Sequence, residues 1–183
     1  LALFLIFCVI GFTFRTYSQP FLLLLLIPFS LTTVAWGHLV HGFPVNVISL
    51  LGVIALVGIL VNDGLVLISK FNSNLRAGKS YDESLFGAGK ERFRAIFLTS
   101  ITTMAGLAPI IFEKSFQAQL LKPMAISIAY GIGSATFLTL ILLPILLSLT
   151  NTFKLNFVWL RSGKKLDKRE VEAPVIELKR EKK

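Results

Sequence analysis

The amino-acid sequence predicts an all-α membrane protein, and the distribution of its charged residues is the main reason. The chain has 183 residues, is 54% hydrophobic and carries 16 Phe, whereas ordinary soluble domains are about 45–50% apolar. Between residues 16 and 69 the only Asp, Glu, Lys or Arg is Asp63. The tracts 95–112 and 123–153 contain none of these residues. Because a helix needs about 20 apolar residues to cross a bilayer core, such tracts predict repeated crossings.

Turn-forming and charged residues divide the apolar sequence into five predicted transmembrane helices of a bundle. They span residues 1–14, 21–40, 45–71, 95–112 and 124–150. The first is truncated, since a helix of this length rises only about 21 Å. It also lacks the initial Met, the positive start and the cleavage site of a signal peptide. We therefore expect residue 1 to lie inside a helix of a longer chain, of which this sequence is a C-terminal piece.

Basic residues are concentrated on one predicted side of the membrane and explain the net charge of +9, so a nucleic-acid partner is not required. The connection 72–94 holds five basic and three acidic residues, and the stretch 151–183 holds ten and five. The connection 41–44 has no Lys or Arg, and 113–122 has two. The positive-inside rule therefore places the two basic stretches in the cytoplasm.

The chain is thus predicted to consist of a transmembrane domain, residues 1–153, and a cytoplasmic charged tail, residues 154–183. The tail mixes charges densely, contains Pro174 and loses apolar periodicity. Such a composition buries too little apolar surface to offset the entropy of ordering. We expect the tail to be disordered.

The connection before the fourth segment predicts a short helix at the cytoplasmic interface. Ser80 followed three residues later by Glu83 matches a capping box, and Leu85, Phe86 and Phe93 offer an apolar side. An amphipathic helix lying at the membrane surface fits this pattern. The alternative is a solvated turn of helix that leads into the fourth segment.

Metal-binding and disulfide chemistry have little support in the sequence. His38 and His41 are three residues apart and could share a helix face as a metal pair, but no third ligand is nearby. We favour anchoring of the two histidines at the membrane interface. The lone Cys8 lies within a membrane segment, so no disulfide framework is implied.

Asp63 is the residue that the predicted fold has to explain, because it lies within the third apolar segment. The stretch 58-GILVNDGLVLI-68 places Asn62 beside it. A charged group in a membrane helix costs on the order of 3 kcal/mol, and a carboxylate removed from water binds its proton more tightly. We predict a proton-relay role for Asp63, in a wet pocket between helices. The structural alternative is a neutral Asp that only hydrogen-bonds neighbouring helices together.

The fourth segment offers hydroxyl partners for that carboxylate. In 98-LTSITTMAG-106, Thr99, Thr102, Thr103 and Gly106 follow helical spacing and form one weakly polar stripe. A hydrated proton path requires such a stripe, although threonines on a helix also commonly bond their own backbone or a neighbouring helix. Apart from Lys70 near the end of the third segment, the apolar segments hold no Lys or Arg, so we expect the charge partner of Asp63 to come from helices absent from this chain.

Small residues at helical spacing predict close helix packing, because they let membrane helices approach one another. In the third segment they are Gly52, Ala55 and Gly58, and in the fifth they are Ala125, Ala129 and Gly133, beside Ser127, Gly131 and Ala135.

Several long motifs follow one another along the chain: 43-FPVNVISLLGVIALVGILVNDGLVLI-68 and then 92-RFRAIFLTSITTMAGLAPII-111. Their order resembles that of the resistance-nodulation-division efflux transporters, in particular the hydrophobe/amphiphile group. The likeness also includes 15-RTYSQPF-21 and 131-GIGSATFLTLILLPIL-146 and covers about residues 1–153. The tail lies outside it.

This resemblance implies that the chain is the second-half portion, helices eight to twelve, of a twelve-helix membrane domain. Members of the family are homotrimers of the bacterial inner membrane with large periplasmic porter domains. They exchange protons for hydrophobic or amphiphilic compounds, without a further cofactor. They usually work with a periplasmic adaptor and an outer-membrane channel.

The resemblance also suggests roles for individual residues. In the family, two adjacent Asp of helix four, a Lys of helix ten and a Thr of helix eleven form the proton site. Asn62 stands at the position of that Lys, Asp63 follows it, and Thr99 stands at the position of the Thr. The cationic partner is therefore missing. The resemblance implies Asp63 as the ionisable group, Asn62 and Thr99 as hydrogen-bonding supports, and Thr103 as a further candidate.

Our main hypothesis is that the chain is the distal transmembrane part of a proton-driven efflux permease. Within the same superfamily, the alternatives are a lipid or hopanoid exporter and a protein-export accessory. A different class would be a non-transporting membrane scaffold, in which Asp63 and the threonine stripe only hold helices together. We do not expect an enzyme, because the sequence has no HExxH motif and no paired intramembrane acids.

Overall fold

The structure, a computed structural model, describes residues 2–162 and 167–181. This part of the chain is almost entirely helical, and no strand occurs in it. The α-helices are numbered here in chain order. The elements are α1 (Ala2–Phe14), α2 (Ser18–His41), α3 (Val47–Arg76), α4 (Tyr81–Phe112), α5 (Phe116–Phe137), a π-helical turn (Leu138–Leu142), α6 (Leu143–Ser162) and α7 (Ala173–Glu181).

Among the described residues, four stretches of helix are long and apolar enough to cross a bilayer. Three of them are α2, α3 and α4, and the fourth is the continuous stretch Phe116–Leu160, which joins α5 to α6. The apolar part of α1, Phe4–Phe14, is shorter. The predicted all-α membrane bundle is therefore confirmed.

The helix ends gather at two opposite ends of the bundle. At one end, which we call the basic end, Glu177 of α7 pairs with Arg15 after α1 and with Arg76 of α3. At the other, the histidine end, His38 and His41 of α2 bond to α5. The basic stretches 72–94 and 151–183, predicted to lie on one side of the membrane, thus meet at the same end of the bundle.

The turn between α2 and α3 has well-defined local geometry. Gly42 adopts a left-handed conformation with φ of 66°, and its N–H donates to the carbonyl oxygens of His38 and Leu39. Asn46 then caps α3: its side-chain oxygen accepts a bond of 2.9 Å from the Ser49 N–H, and the Ser49 hydroxyl accepts one of 2.8 Å from the Asn46 N–H. These reciprocal bonds satisfy N–H groups that a helix start leaves free. They fix where α3 begins.

The predicted short interfacial helix does not exist as a separate element, because α4 runs without a break from Tyr81 to Phe112. The capping box at its start is confirmed, with a Ser80 N–H to Glu83 carboxylate bond of 3.1 Å and a Glu83 N–H to Ser80 hydroxyl bond of 3.3 Å. The glycines in its first turns cost only about 1 kcal/mol each relative to Ala. Stacking of Phe93 on Phe97 supports the same stretch of helix.

The tail is also more ordered than predicted. Residues Ala173–Glu181 form α7, and Val175 is buried against the bundle. Pro174 is compatible with this helix, because its missing N–H would have no partner in the first turn. Dense charge predicts disorder only when the charges find no partners, and here ion pairs hold the tail. The predicted disorder of 163–166 and 182–183 concerns positions outside the described residues.

The centre of the bundle is a close contact between α3 and α5. A Cβ built on Gly52 would lie 2.7 Å from the Met124 carbonyl oxygen and 2.9 Å from the Ser127 Cβ. Further along, Gly131 of α5 leaves space for Leu56 of α3, whose side chain a Cβ would overlap. Leu56 is fully buried. Only glycine permits so close an approach at these two positions.

A π-helical turn separates α5 from α6. The N–H of Leu143 donates to the carbonyl of Leu138, five residues earlier. The next residue is Pro144, which has no N–H and whose ring crowds the carbonyl four residues before it in a regular α-helix. The wider turn accommodates this proline without ending the span.

Replacement of Gly52 by Ala should destabilise the bundle by about 1–3 kcal/mol, because an added methyl group would force the two backbones apart. Gly58→Ala is the matched control, since a Cβ at Gly58 meets no heavy atom within 4 Å. Thermal unfolding of the purified protein in detergent measures the difference. Equal melting temperatures for the two variants would contradict the close contact.

Candidate functional site

Asp63 lies near the middle of the 30-residue helix α3. Its side chain is half-buried, and Asn62 beside it is exposed. Within residues 2–162 and 167–181, no hydrogen bond or ion pair involves the Asp63 carboxylate. The described helices therefore leave one side of it uncovered, in the middle of an apolar span.

An ion pair between α3 and α4 shows which residues share a depth. Lys70 Nζ lies 2.6 Å from Glu91 Oε2, and the two helices are antiparallel. Asp63 precedes Lys70 by seven residues, about two turns, on the same side of α3. Thr99 follows Glu91 by eight residues. At about 1.5 Å per residue, Asp63 and Thr99 lie about 10 Å and about 12 Å from the ion pair, in the same direction.

The contacts that α3 and α4 make with α5 show independently that Asp63 and Thr99 lie at the same depth of the bundle. Leu56 of α3 packs on Gly131, and Thr136 donates a hydrogen bond to the Ser100 hydroxyl of α4. Helices α3 and α5 run in parallel, so the five residues from 131 to 136 correspond to about five residues of α3. Ser100 is therefore level with about position 61 of α3. The structure thus brings Asn62, Asp63 and Thr99 to one depth of the bundle.

The threonine stripe does not bond to Asp63 in this structure. Thr99 donates to the Ala95 carbonyl at 2.8 Å, and Thr103 donates to the Thr99 carbonyl at 2.8 Å. Thr102 bonds to carbonyls of the same helix in the same way. A hydroxyl that donates its hydrogen keeps its lone pairs as acceptors. Thr99 is exposed, so its oxygen is available to accept a hydrogen bond.

Ser100 and Thr136 form a buried polar contact that the sequence analysis did not identify. Both side chains are nearly inaccessible to solvent. The Ser100 hydroxyl donates to the Ile96 carbonyl at 2.9 Å. The Thr136 hydroxyl also lies 2.9 Å from the Ile132 carbonyl. The pattern of residues around Thr136 gave no signal of this role, because its partner lies 36 positions away. This contact fixes α4 against α5 at the depth of Asp63.

The two histidines do not converge on a common metal. His38 is buried, with Nδ1 3.1 Å from the Phe43 carbonyl and Nε2 2.9 Å from the Ser127 hydroxyl. His41 Nε2 lies 3.1 Å from the Tyr130 hydroxyl. The described residues contain no group of three side chains that could hold a metal ion. The anchoring hypothesis is wrong for His38, which connects α2 to α5 inside the bundle.

The small residues predicted to pack fall into two sets. Gly52 lies against α5, whereas Ala55 is exposed and Gly58 faces open space. In α5, Ala125 and Ala129 are buried, and a Cβ at Gly133 would lie 3.4 Å from the Met104 sulfur. Ala55, Gly58 and Asn62 therefore form a row on α3 that the described helices leave uncovered.

Taken together, the four apolar spans among the described residues and their close helix packing define an integral membrane protein of the helical-bundle class. The sequence model of the AcrB/AcrD/AcrF family matches residues 1–151. The chain therefore belongs to this family of resistance-nodulation-division permeases.

Curated relatives show how much of a permease the chain represents. It is 29% identical over 154 residues to the swarming motility protein SwrC of Bacillus subtilis, and the aligned residues make up 84% of this chain and 15% of SwrC. It is 31% identical over 150 residues to the cobalt-zinc-cadmium resistance protein CzcA of Cupriavidus metallidurans, covering 82% and 14%. The multidrug resistance protein MdtC of Serratia proteamaculans is 26% identical over 163 residues, covering 88% and 16%. The chain thus spans only a small part of the length of these relatives.

Reversal of the charge of Lys70, by Lys70→Glu, should weaken the contact between α3 and α4, and the double variant Lys70→Glu, Glu91→Lys should restore it. The two side chains are 28% and 46% exposed, and pairs of this kind typically contribute about 0.2–1 kcal/mol. A double-mutant cycle on thermal unfolding in detergent measures the coupling. Additive effects of the two single reversals would contradict the pairing that sets the depth of Asp63.

Proposed function

We propose that the chain forms part of a proton-driven efflux permease and that Asp63 binds and releases the coupling proton. One observation supports this most strongly: a half-buried carboxylate sits in mid-span, level with Thr99, with no hydrogen bond or ion pair to residues 2–162 and 167–181. An unpaired charge facing lipid there would cost on the order of 3 kcal/mol. The carboxylate therefore requires a cationic or hydrogen-bonding partner, contact with water, or a bound proton. All three occur at a site that binds and releases a proton.

The chemistry of the proposed site follows from its donors and acceptors. When Asp63 is ionised, the amide N–H₂ of Asn62 is a suitable donor to the carboxylate. When Asp63 is protonated, its O–H can donate to the Thr99 oxygen, directly or through water. Thr103 extends the row of hydroxyls by one turn. Asn62 stands where the family has a Lys, so this chain lacks the cationic partner at that position. We propose that other helices of the permease supply a cation for Asp63.

Protonation would couple to conformation through the exposed part of the Asp63 side chain. A neutral Asp63 carries no charge in mid-span, which favours closure of a neighbouring helix over it. An ionised Asp63 favours an arrangement that brings water or a cation to it. A proton therefore binds one arrangement more tightly than the other and shifts their populations.

We propose hydrophobic or amphiphilic compounds as the exported cargo. The relative MdtC is named for multidrug resistance, which supports this class. A second candidate is divalent metal ions, because CzcA is named for cobalt, zinc and cadmium resistance and is 31% identical to the chain. Export assays with an amphiphilic dye and with Zn²⁺ in the same cells distinguish the two.

The assembly and orientation are proposals of the same kind. We place the chain in the bacterial inner membrane as part of a homotrimer with periplasmic porter domains, an adaptor and an outer-membrane channel. The basic end then faces the cytoplasm, in line with the positive-inside rule. The remaining helices of the permease would cover the uncovered row on α3.

Replacement of Asp63 by Asn in the intact permease should abolish proton-coupled export while leaving its abundance in the membrane unchanged, because the amide cannot carry the proton. Asp82→Asn is the matched control, since Asp82 is an exposed acid at the basic end that pairs with Lys168. Its export should stay within about twofold of the original, as exposed pairs contribute little. Export rates and membrane abundance are measured together.

Normal export by the Asp63→Asn permease would refute the relay. Loss of both export and abundance, with Asp82→Asn unaffected, would favour the non-transporting scaffold in which Asp63 only holds helices together.

The proposed orientation predicts which side of the membrane an introduced cysteine faces. In intact cells, a membrane-impermeant maleimide should not label Lys79→Cys in the α3–α4 connection, because the basic end faces the cytoplasm. It should label Gln117→Cys at the histidine end. Both positions are exposed. The reverse labelling pattern would overturn the orientation.

A further inference from the structure

The segment 167–181, which we call the clasp, lies across the basic end of the bundle. The family match ends at residue 151, so the clasp is an addition to the part of the chain that this match covers. Its side chains contact α6, the end of α3, the turn after α1 and, through a Lys168–Asp82 ion pair, the start of α4. These contacts involve side chains that the proposed proton site does not use.

The anchor of the clasp is Glu172, which is only 3% exposed. Its carboxylate accepts a hydrogen bond of 2.7 Å from Asn151 Nδ2 and lies 3.1 Å from Lys154 Nζ, both on α6. Asn151 also donates to the Lys168 carbonyl at 2.7 Å. A buried carboxylate is stable only when its charge and lone pairs are satisfied. The three side chains therefore form a single polar unit that fastens the clasp to α6.

From this anchor the clasp holds the end of α3. Arg169 Nη2 donates to the Leu75 carbonyl at 3.1 Å, one of the carbonyls that a helix end leaves free. Glu177 Oε2 lies 3.0 Å from Arg76 Nη2, and its other oxygen pairs with Arg15. The last turn of α3 is thus tied to α6 and to the turn after α1.

We propose that the clasp restrains α3, the helix that carries Asp63, and so limits its movement relative to α6. A helix transmits a displacement of its end along its length, so any arrangement that shifts α3 must first break the bonds to Leu75 and Arg76. The restraint itself is independent of the proton relay. Its consequence for transport rests on the proposed function.

Charge reversal at the anchor tests the restraint in the purified, detergent-solubilised permease. Glu172→Lys places a cation against Lys154 and should release the clasp, and the double variant Lys154→Glu, Glu172→Lys should dock it again. Asp167→Lys is the matched control, because it makes the same charge change at an exposed acid of the same segment. Rescue by the double variant excludes general unfolding as the cause.

The first measurement is hydrogen–deuterium exchange of α7. A nine-residue helix is marginal in water on its own, so release should accelerate its amide exchange by about tenfold or more. The second is the labelling rate of Gly58→Cys by a small maleimide, in a background in which Cys8 and any other native cysteine are replaced. Position 58 lies on the side of α3 that the described helices leave uncovered and that the other helices of the permease would cover. Its labelling therefore reports movement of α3 relative to those helices.

Faster exchange of α7 together with a changed labelling rate in Glu172→Lys, both reversed in the double variant, supports the proposal. Exchange no faster than in Asp167→Lys would show that Glu172 is not the anchor. A released α7 with unchanged labelling at position 58 would show that the clasp does not restrain α3. Neither readout depends on proton transport, so failure of the relay at Asp63 would leave this test intact.

Discussion

The close contact between α3 and α5 is the constraint on which the rest of the bundle depends. Lipid tails are as apolar as the side chains, so membrane helices gain little from hydrophobic association and depend on close packing instead. Gly52 and Gly131 allow that packing. Because α4 also packs on α5, through Ser100 and Thr136, the depth of Thr99 relative to Asp63 is set by one helix that lies behind both.

Buried polar pairs hold this packing at three depths. At the basic end, Gln19 and Asn72 exchange two amide hydrogen bonds of 2.9 and 3.0 Å. At the histidine end His38 bonds to Ser127, and Ser100 bonds to Thr136 between them. Each pair satisfies groups that would otherwise be unpaired in an apolar interior, where such groups are costly. Against this background, Asp63 is a carboxylate in mid-span without a partner among the described residues, and the buried Thr139 hydroxyl, which also lacks one, carries no charge.

The sequence was sufficient for features that depend on local composition and periodicity. Uncharged tracts located the spans, and the spacing of Ser80 and Glu83 located the start of α4. The separate interfacial helix was a wrong prediction because the apolar pattern of residues 85–97 also suits the first turns of a longer helix. The order of the tail was missed because Glu172 finds Asn151 and Lys154 about twenty positions earlier. Pairings across the bundle, such as Gln19 with Asn72, leave no periodic signal in the sequence.

The π-helical turn has a consequence for the half of the last span that lies nearer the basic end. The positions Ala135, Thr139, Leu143, Leu147 and Asn151 are four apart, and all are buried. In a regular α-helix such a row drifts around the axis by about 40° per step, and over four steps it would turn its last member well away from the interior. The turn takes in an extra residue and removes part of that drift. The π-helical turn that accommodates Pro144 thus keeps the row on the inner side of the helix. Asn151, more than two turns later, therefore still faces the interior and bonds to Glu172.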